Sequence, residues 1–186
     1  MCPRAPRGGG GSAHYQYASA GTRVRKTLQR LNGSRSAERI YLGGFERFHE
    51  FGGDGRTITL ARTTLHVLDI CQIDLRTTGI DASPPRLFRY QLGEHLSGAA
   101  IELDDAGDVL TYEQYYPYGA TSFASHRGTA APPAKRYCYV GKERDEETGF
   151  YNYGSRYYAP WLARWTSVDP QGVRPGELTG YVYCAN

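Results

Sequence analysis

Few residues in this 186-residue sequence are of a type and spacing that could do chemistry. His49, His66, His95 and His126 are scattered, with no i, i+4 pair to set two imidazoles on one helical face. Surface or core histidines are therefore expected, and no metal site. Cys2, Cys71, Cys138 and Cys184 are far apart, without a Cys-x-x-Cys pair. Free thiols of a reducing compartment are expected, ahead of a disulfide framework or a zinc site. Cys138, in Tyr137-Cys138-Tyr139, and Cys184, in Tyr183-Cys184-Ala185, stand in strand-like aromatic surroundings where a small thiol can pack. The run Lys142-Glu143-Arg144-Asp145-Glu146-Glu147 alternates in sign. A docking loop is one reading of it, and a solvated face with weak ion pairs is the default. Arg156 and Arg164 lie among Tyr157, Tyr158, Trp161 and Trp165, which predicts cation–π stacking within a scaffold rather than an anion site. Asp169-Pro170-Gln171-Gly172 reads by its residue types as a turn.

The charge balance is close to even, with 22 basic and 19 acidic residues and a formal net charge of +3. A mixed solvated surface follows, and neither nucleic acid nor a membrane is expected as a partner. No stretch approaches the ~20 apolar residues that a membrane span needs. The start, Met1 to Ser12, carries arginine but no apolar centre. It does not read as a cleavable signal peptide, so export would need another route or a larger parent chain. Residues 1–13 are rich in Gly, Pro and Arg and are expected to be a disordered tail.

The elements that would position these residues are strands. Tyr occurs 16 times and Gly 23 times; aromatics suit a pleated surface and Gly supplies the positive φ of tight turns. His14–Thr27 reads as strand, Gly turn, strand, and Arg39–Leu42 begins another, stopped by Gly43-Gly44. Phe45–Phe51 places aromatics three apart, but glycines on both sides favour an irregular strand over a helix. Asp54-Gly55 centres a turn before the β-branched run Thr57–Leu68. Residues 77–86 form a loop, and Phe88–Leu92, Ala99–Leu103 and Val109–Tyr116 are strands around a turn at Asp104–Asp108. Residues 120–134 read as a loop, and Arg136–Val140 and Phe150–Tyr158 as two more strands. One short helix is entertained, over residues 142–147. Strand–turn units at this spacing predict an all-β array of antiparallel repeats.

From Tyr112 onward the sequence is similar to a known family. Tyr112-Glu113-Gln114-Tyr115-Tyr116-Pro117-Tyr118-Gly119 is followed by Tyr139-Val140-Gly141-Lys142-Glu143-Arg144-Asp145-Glu146-Glu147-Thr148-Gly149-Phe150-Tyr151. Then come Tyr153-Gly154-Ser155-Arg156-Tyr157-Tyr158-Ala159-Pro160-Trp161-Leu162-Ala163-Arg164-Trp165 and Ser167-Val168-Asp169-Pro170-Gln171-Gly172. This succession resembles the core-associated region of the RHS/YD-repeat family. Three further runs, Glu38–Glu46, Thr64–Asp69 and Arg89–Leu96, resemble the C components of insecticidal Tc toxin complexes. The resemblance covers residues 14–186. It divides the chain into a YD-repeat-like sheet over 14–111 and an RHS repeat-associated core region over 112–186 that ends early.

The resemblance implies a spiralling β-sheet shell that encloses a C-terminal toxin cargo, with the rest of the shell, the cargo and the Tc B component as partners. Secretion within the toxin complex is implied with it. It also implies one candidate catalytic residue, Asp169, matching the family's first Asp-Pro-x-Gly, which resembles the aspartyl autoprocessing region. An aspartyl mechanism uses two carboxylates sharing a proton. The family's second Asp-Pro lies downstream of Asn186, so the chain itself is not expected to be an enzyme. No cofactor is implied. The sequence departs from the family at Leu96-Ser97-Gly98, in a shorter stretch over Asp69–Arg76, and at Cys138 and Cys184. These departures, together with the early end, suggest a truncated copy. The shell segment is thus the leading reading; an autoprocessing aspartyl peptidase is the alternative, and a carbohydrate- or surface-binding module a third.

Overall fold

In a computed structural model, the structure describes residues 10–68, 70–94, 98–126, 135–173 and 179–184. They form two antiparallel sheets. The larger is a ten-stranded meander in which each strand pairs with the next: β1 (Gly11–Tyr17), β2 (Arg23–Arg30), β3 (Arg35–Leu42), β4 (Phe45–Phe51), β5 (Ile58–Val67), β6 (Cys71–Thr78), β7 (Arg86–Glu94), β8 (Gly98–Leu103), β9 (Val109–Tyr115) and β10 (Thr121–His126). The smaller sheet holds β11 (Glu143–Arg144), β12 (Tyr151–Asn152), β13 (Tyr157–Ala159) and β14 (Arg164–Trp165). The all-β antiparallel expectation holds throughout.

Several local expectations are corrected. The short helix over 142–147 is absent: Glu143–Arg144 is a strand, and the turn of helix lies earlier, a 3-10 turn over Tyr139–Gly141. That turn also replaces the strand expected over Arg136–Val140, of which Tyr137 keeps a single bridge to Glu143. Phe150–Tyr158 is a hairpin rather than one strand, folded where Gly154 takes a φ of 83°. Within the expected loop 120–134, Thr121–His126 forms β10, and residues 127–134 lie outside the described residues. β6 arises from a stretch for which no strand was expected. Residues 1–9 of the expected tail are outside the described residues, and β1 already begins at Gly11. β9 runs through residues 111 and 112, and the large sheet continues to His126.

Strand alternation gives the large sheet two unlike faces. One carries a polar row, in which Tyr41 pairs with Glu46, Glu46 with Thr64 and Thr64 with Asp74. On the other, Leu42, Phe45, Leu65, Ile73 and Phe88 form an apolar row across β3 to β7. A second apolar row runs Val67, Cys71, Tyr90, Leu103 and Val109. The apolar face is open, with Leu42 64% and Phe45 38% exposed. The polar face is the buried one, because the small sheet packs on it.

Candidate functional site

The junction between the two sheets is the chemically densest part of the molecule. Asp145 is fully buried and receives two hydrogen bonds from Arg23, at 2.7 and 2.8 Å, and one from Lys26 at 3.0 Å. Arg23 also donates to Glu143 at 3.3 Å, and Lys26 reaches Glu147 at 2.7 Å. Arg136 bridges Glu46 at 2.7 Å and Glu143 at 3.0 Å. Glu46 is joined as well by Arg39, His66 and the Tyr137 hydroxyl. At the other end of the sheet, Arg144 donates to Glu113 at 3.2 Å and to Thr121 at 2.7 Å.

A β-bulge places Arg23 in this network. Gln16 pairs with Arg25 but Tyr17 pairs with Arg23, so Val24 is an extra residue. The extra residue turns Arg23 onto the face that Lys26 occupies, although an unbroken strand would set residues three apart on opposite faces.

The carboxylates are tuned by these partners. Burial alone would raise Glu46; Arg136, the His66 hydrogen bond and Arg39 outweigh it and hold the group well below the usual carboxylate range. Asp145 is lowered in the same way, by the Arg23 hydrogen bond and by Lys26 against its burial. Glu113 is lowered against burial by Arg144 and by hydrogen bonds from Thr121 and Tyr115. Buried pairs of this kind add little net stability, because desolvation offsets the attraction, but breaking one partner is costly. They fix which surface meets which.

The tyrosines form the second half of the junction. In the turn after β9, three successive carbonyls each accept a phenol: Pro117 from Tyr139 at 2.8 Å, Tyr118 from Tyr158 at 2.7 Å, and Gly119 from Tyr151 at 3.1 Å. Phenylalanine would supply the ring and lose the bond, which is why Tyr fills these positions. Cys138, Tyr151 and Tyr158 are fully buried beneath, with Tyr115, Tyr153, Trp165 and Tyr183 around them. Burial pushes the Cys138 thiol up to about 12.

Asp169 lies at the margin of the tyrosine cluster, in a turn. Its backbone carbonyl accepts from Gly172 N–H and its Oδ1 from Gln171 N–H, both at 2.9 Å. Its Oδ2 is 3.2 Å from Arg156, whose guanidinium stacks over Trp165 at 4.0 Å. Among the described residues no second carboxylate is recorded against it. His66 bonds Glu46, His49 and His126 lie on β4 and β10, and His95 is outside the described residues. No cluster of three or more His, Cys, Asp or Glu fit for a metal occurs among the described residues. Cys71, Cys138 and Cys184 are free thiols; Cys138 packs among the rings as its neighbours suggest, whereas Cys184 is exposed.

Sequence reasoning missed the latch. The run Lys142–Glu147 reads as a solvated face, yet Glu143 and Asp145 are buried and neutralised across the junction. The available signal was its period of two, which puts Glu143 and Asp145 on one side of an extended segment. A cleft of about 990 Å³ remains between the sheets, lined by Lys26, Arg39, Arg62, Arg136, Arg144 and Glu147 among others. That volume suits a small molecule rather than a folded domain.

No protein-family model matches the chain. It is 34% identical over 178 residues to toxin subunit YenC1 of Yersinia entomophaga and 32% identical over 172 residues to YenC2 of the same organism. Each match covers 89% of this chain and 17% of the relative, so the chain spans about a sixth of their length. Among solved structures, the Photorhabdus luminescens Tc holotoxin pore, bearing an aspartate-to-alanine substitution in TccC3, matches over 100% of this chain and 9% of that one. The TM-score is 0.83 at 28% identity.

Proposed function

We propose that this chain, an RHS-type segment like those of the Tc toxin C components, is a piece of shell wall. The wall would run from β1 to β10 and form part of an enclosure for a C-terminal toxin cargo. The core-associated region would begin within it at Tyr112, so that the Tyr112–Gly119 hairpin end and the small sheet brace the wall from one side. The rest of the shell and a Tc B component would be its partners, and the assembly would act outside the producing cell.

The observation that carries this reading is the single-layered meander with unlike faces. Its polar face is latched by Arg23, Lys26, Glu46 and Glu113 to the small sheet. Its other face leaves Leu42, Phe45, Leu65, Val67, Tyr90 and Val109 exposed, and a contiguous exposed apolar surface marks an interaction surface. In this reading Asp145 and the tyrosines are bracing residues, and Asp169 with Arg156 closes a turn.

A chimera tests the proposal. Residues 14–186 would replace the matching stretch of YenC1, and protease sensitivity of the segment that follows would be measured. The segment is expected to resist digestion as in unmodified YenC1. A chimera that folds and assembles but leaves that segment open to protease would sink the wall reading.

A further inference from the structure

We propose that Asn32 is a self-modifying site, at which the main-chain nitrogen of Gly33 attacks the Asn32 carboxamide and converts it through a cyclic imide to aspartate and isoaspartate. The inference goes beyond the wall reading and depends on nothing in it. Asn32-Gly33 is the one Asn-Gly pair in the sequence. It lies in the turn between β2 and β3, where Leu31, Asn32 and Gly33 are all exposed to water. The attacking nitrogen is open: Gly33 has a φ of 79°, and a Cβ there would meet nothing within 4 Å. Glycine also leaves that nitrogen without a side chain of its own residue to shield it. Nitrogen and carbon belong to adjacent residues, so the ring closes with no encounter step.

The carboxamide sits in a cradle of donors. Oδ1 of Asn32 accepts from the Ser34 main-chain N–H at 3.0 Å and from the Ser34 hydroxyl at 2.7 Å. Oδ1 is the atom that takes the negative charge when Gly33 attacks Cγ, and donors already aimed at such an oxygen lower the barrier. The hydroxyl is itself polarised, because Ser34 Oγ accepts from Arg30 at 3.4 Å. Arg30 is held in turn by the carbonyls of Arg35 and Phe51. The turn before β5 presses on Ser34 from its other side. There Arg35 Nε donates to the Gly55 carbonyl at 3.2 Å, and a Cβ on Gly55 would come within 3.0 Å of Ser34 Cβ. The donors are thus fixed by a neighbouring hairpin and backed by a guanidinium.

The reaction needs water alone. The Gly33 N–H gives its proton to solvent, and the nitrogen bonds to Asn32 Cγ. The bond from Cγ to Nδ2 then breaks, and Nδ2 takes a proton from water and leaves as ammonia. Water opens the imide at either carbonyl, giving aspartate or, with the main chain routed through the side chain, isoaspartate. The Gly33 hydrogen bond to the Arg30 carbonyl, at 2.9 Å, is the contact that must stretch as the ring closes. An aspartate at this position keeps both Ser34 donors and gains the field of Arg30, a stronger pairing than the amide had. It lowers the formal net charge of +3 by one. Asn152 supplies the contrast. Its Oδ1 also accepts from the N–H two residues on, that of Gly154 at 3.0 Å. The residue that follows it is Tyr153, however, and Gly154 has no hydroxyl to add a second donor.

Peptide mapping by mass spectrometry tests this on the 186-residue chain, incubated at neutral and at mildly alkaline pH, folded and in guanidinium chloride. Conversion is read as the mass difference between amide and acid at residue 32, and isoaspartate by an isoaspartyl methyltransferase. Asn32 is expected to convert faster in the folded chain than in the unfolded one, and faster at the higher pH, while Asn152 stays intact. Ser34→Ala should slow conversion in the folded chain roughly three- to tenfold, the worth of one exposed hydrogen bond. Ser34→Thr should restore the rate, and neither variant should change it in guanidinium chloride. A folded wild type that converts no faster than the unfolded chain overturns the proposal, and this comparison needs no variant. So does a Ser34→Ala protein that keeps both its circular dichroism spectrum and the wild-type rate, or an Asn152 that keeps pace with Asn32.

Discussion

Asp145 shows how a residue that looks solvated becomes structural. It has no exposed side-chain surface and two cationic partners, Arg23 and Lys26. Asp145→Asn should destabilise the protein by about 3 kcal/mol, since it leaves Arg23 buried beside a neutral amide. Urea unfolding at neutral pH measures this. The same carboxylate gives the fold an acid limit. Asp145, Glu113 and Glu46 are all depressed when folded. Their contribution is complete above the unfolded carboxyl values of about 4 and is lost as pH falls through the folded ones. The urea midpoint should therefore hold down to about pH 5 and drop below pH 4, and drop less in Asp145→Asn. An equal drop in both proteins would show that Asp145 is not a source of the acid sensitivity. Asp169 has a different place: its oxygens serve a local turn and Arg156.

At the scale of elements, Gly119 carries the most weight for its size. Its φ is 82°, and a Cβ there would come within 2.4 Å of the Tyr139 ring. Gly119→Ala should cost about 2 kcal/mol or more, from left-handed strain plus the displaced ring. Because Tyr139 helps cover Cys138, a thiol reagent should reach Cys138 faster in this variant. Unchanged labelling would mean that the turn does not seal the cluster. Much at this scale was legible in the sequence. Glycine-bracketed, β-branched and aromatic runs marked β4, β5, β7, β8 and β9, because their pattern and their turns agree. What escaped was set by distant partners. The Phe150–Tyr158 run reads as one strand because nothing local announces that Tyr151 and Tyr158 face each other across a hairpin. Arg136–Val140 has strand-like residues, but Cys138 is drawn into the tyrosine cluster and Val140 is forced to a φ of 47°. Of the candidate site, the tyrosine motifs were visible and the ion latch was not, because Arg23 and Asp145 lie 122 positions apart.

The whole molecule is a curved sheet closed onto a brace. Arg144 touches β9 and β10, and its neighbour Asp145 touches β2. In a flat sheet β2 and β9 would stand roughly 34 Å apart at ~4.8 Å per strand. Adjacent residues reach both, so the large sheet curls around the small one. The two sheets should then fail together. Burial raises the phenols of Tyr115, Tyr139, Tyr151, Tyr153 and Tyr158 above their ordinary value. Raised groups stabilise the fold fully below about pH 10, the unfolded value, and cease to as pH rises through the folded ones. Alkaline titration should show phenol absorbance and β-sheet circular dichroism changing in one transition. Two separate steps would mean that the sheets are independent. The brace also follows the large sheet in the chain, which has a consequence in time. At synthesis rates of ~5–20 residues per second, Arg23 leaves the ribosome roughly 6–25 s before Asp145 follows to neutralise it. Throughout that interval the nascent chain is a growing sheet with an unfilled polar face, an apolar one and no clasp. This is the period in which a chaperone, or a neighbouring nascent chain, has its best opportunity to bind.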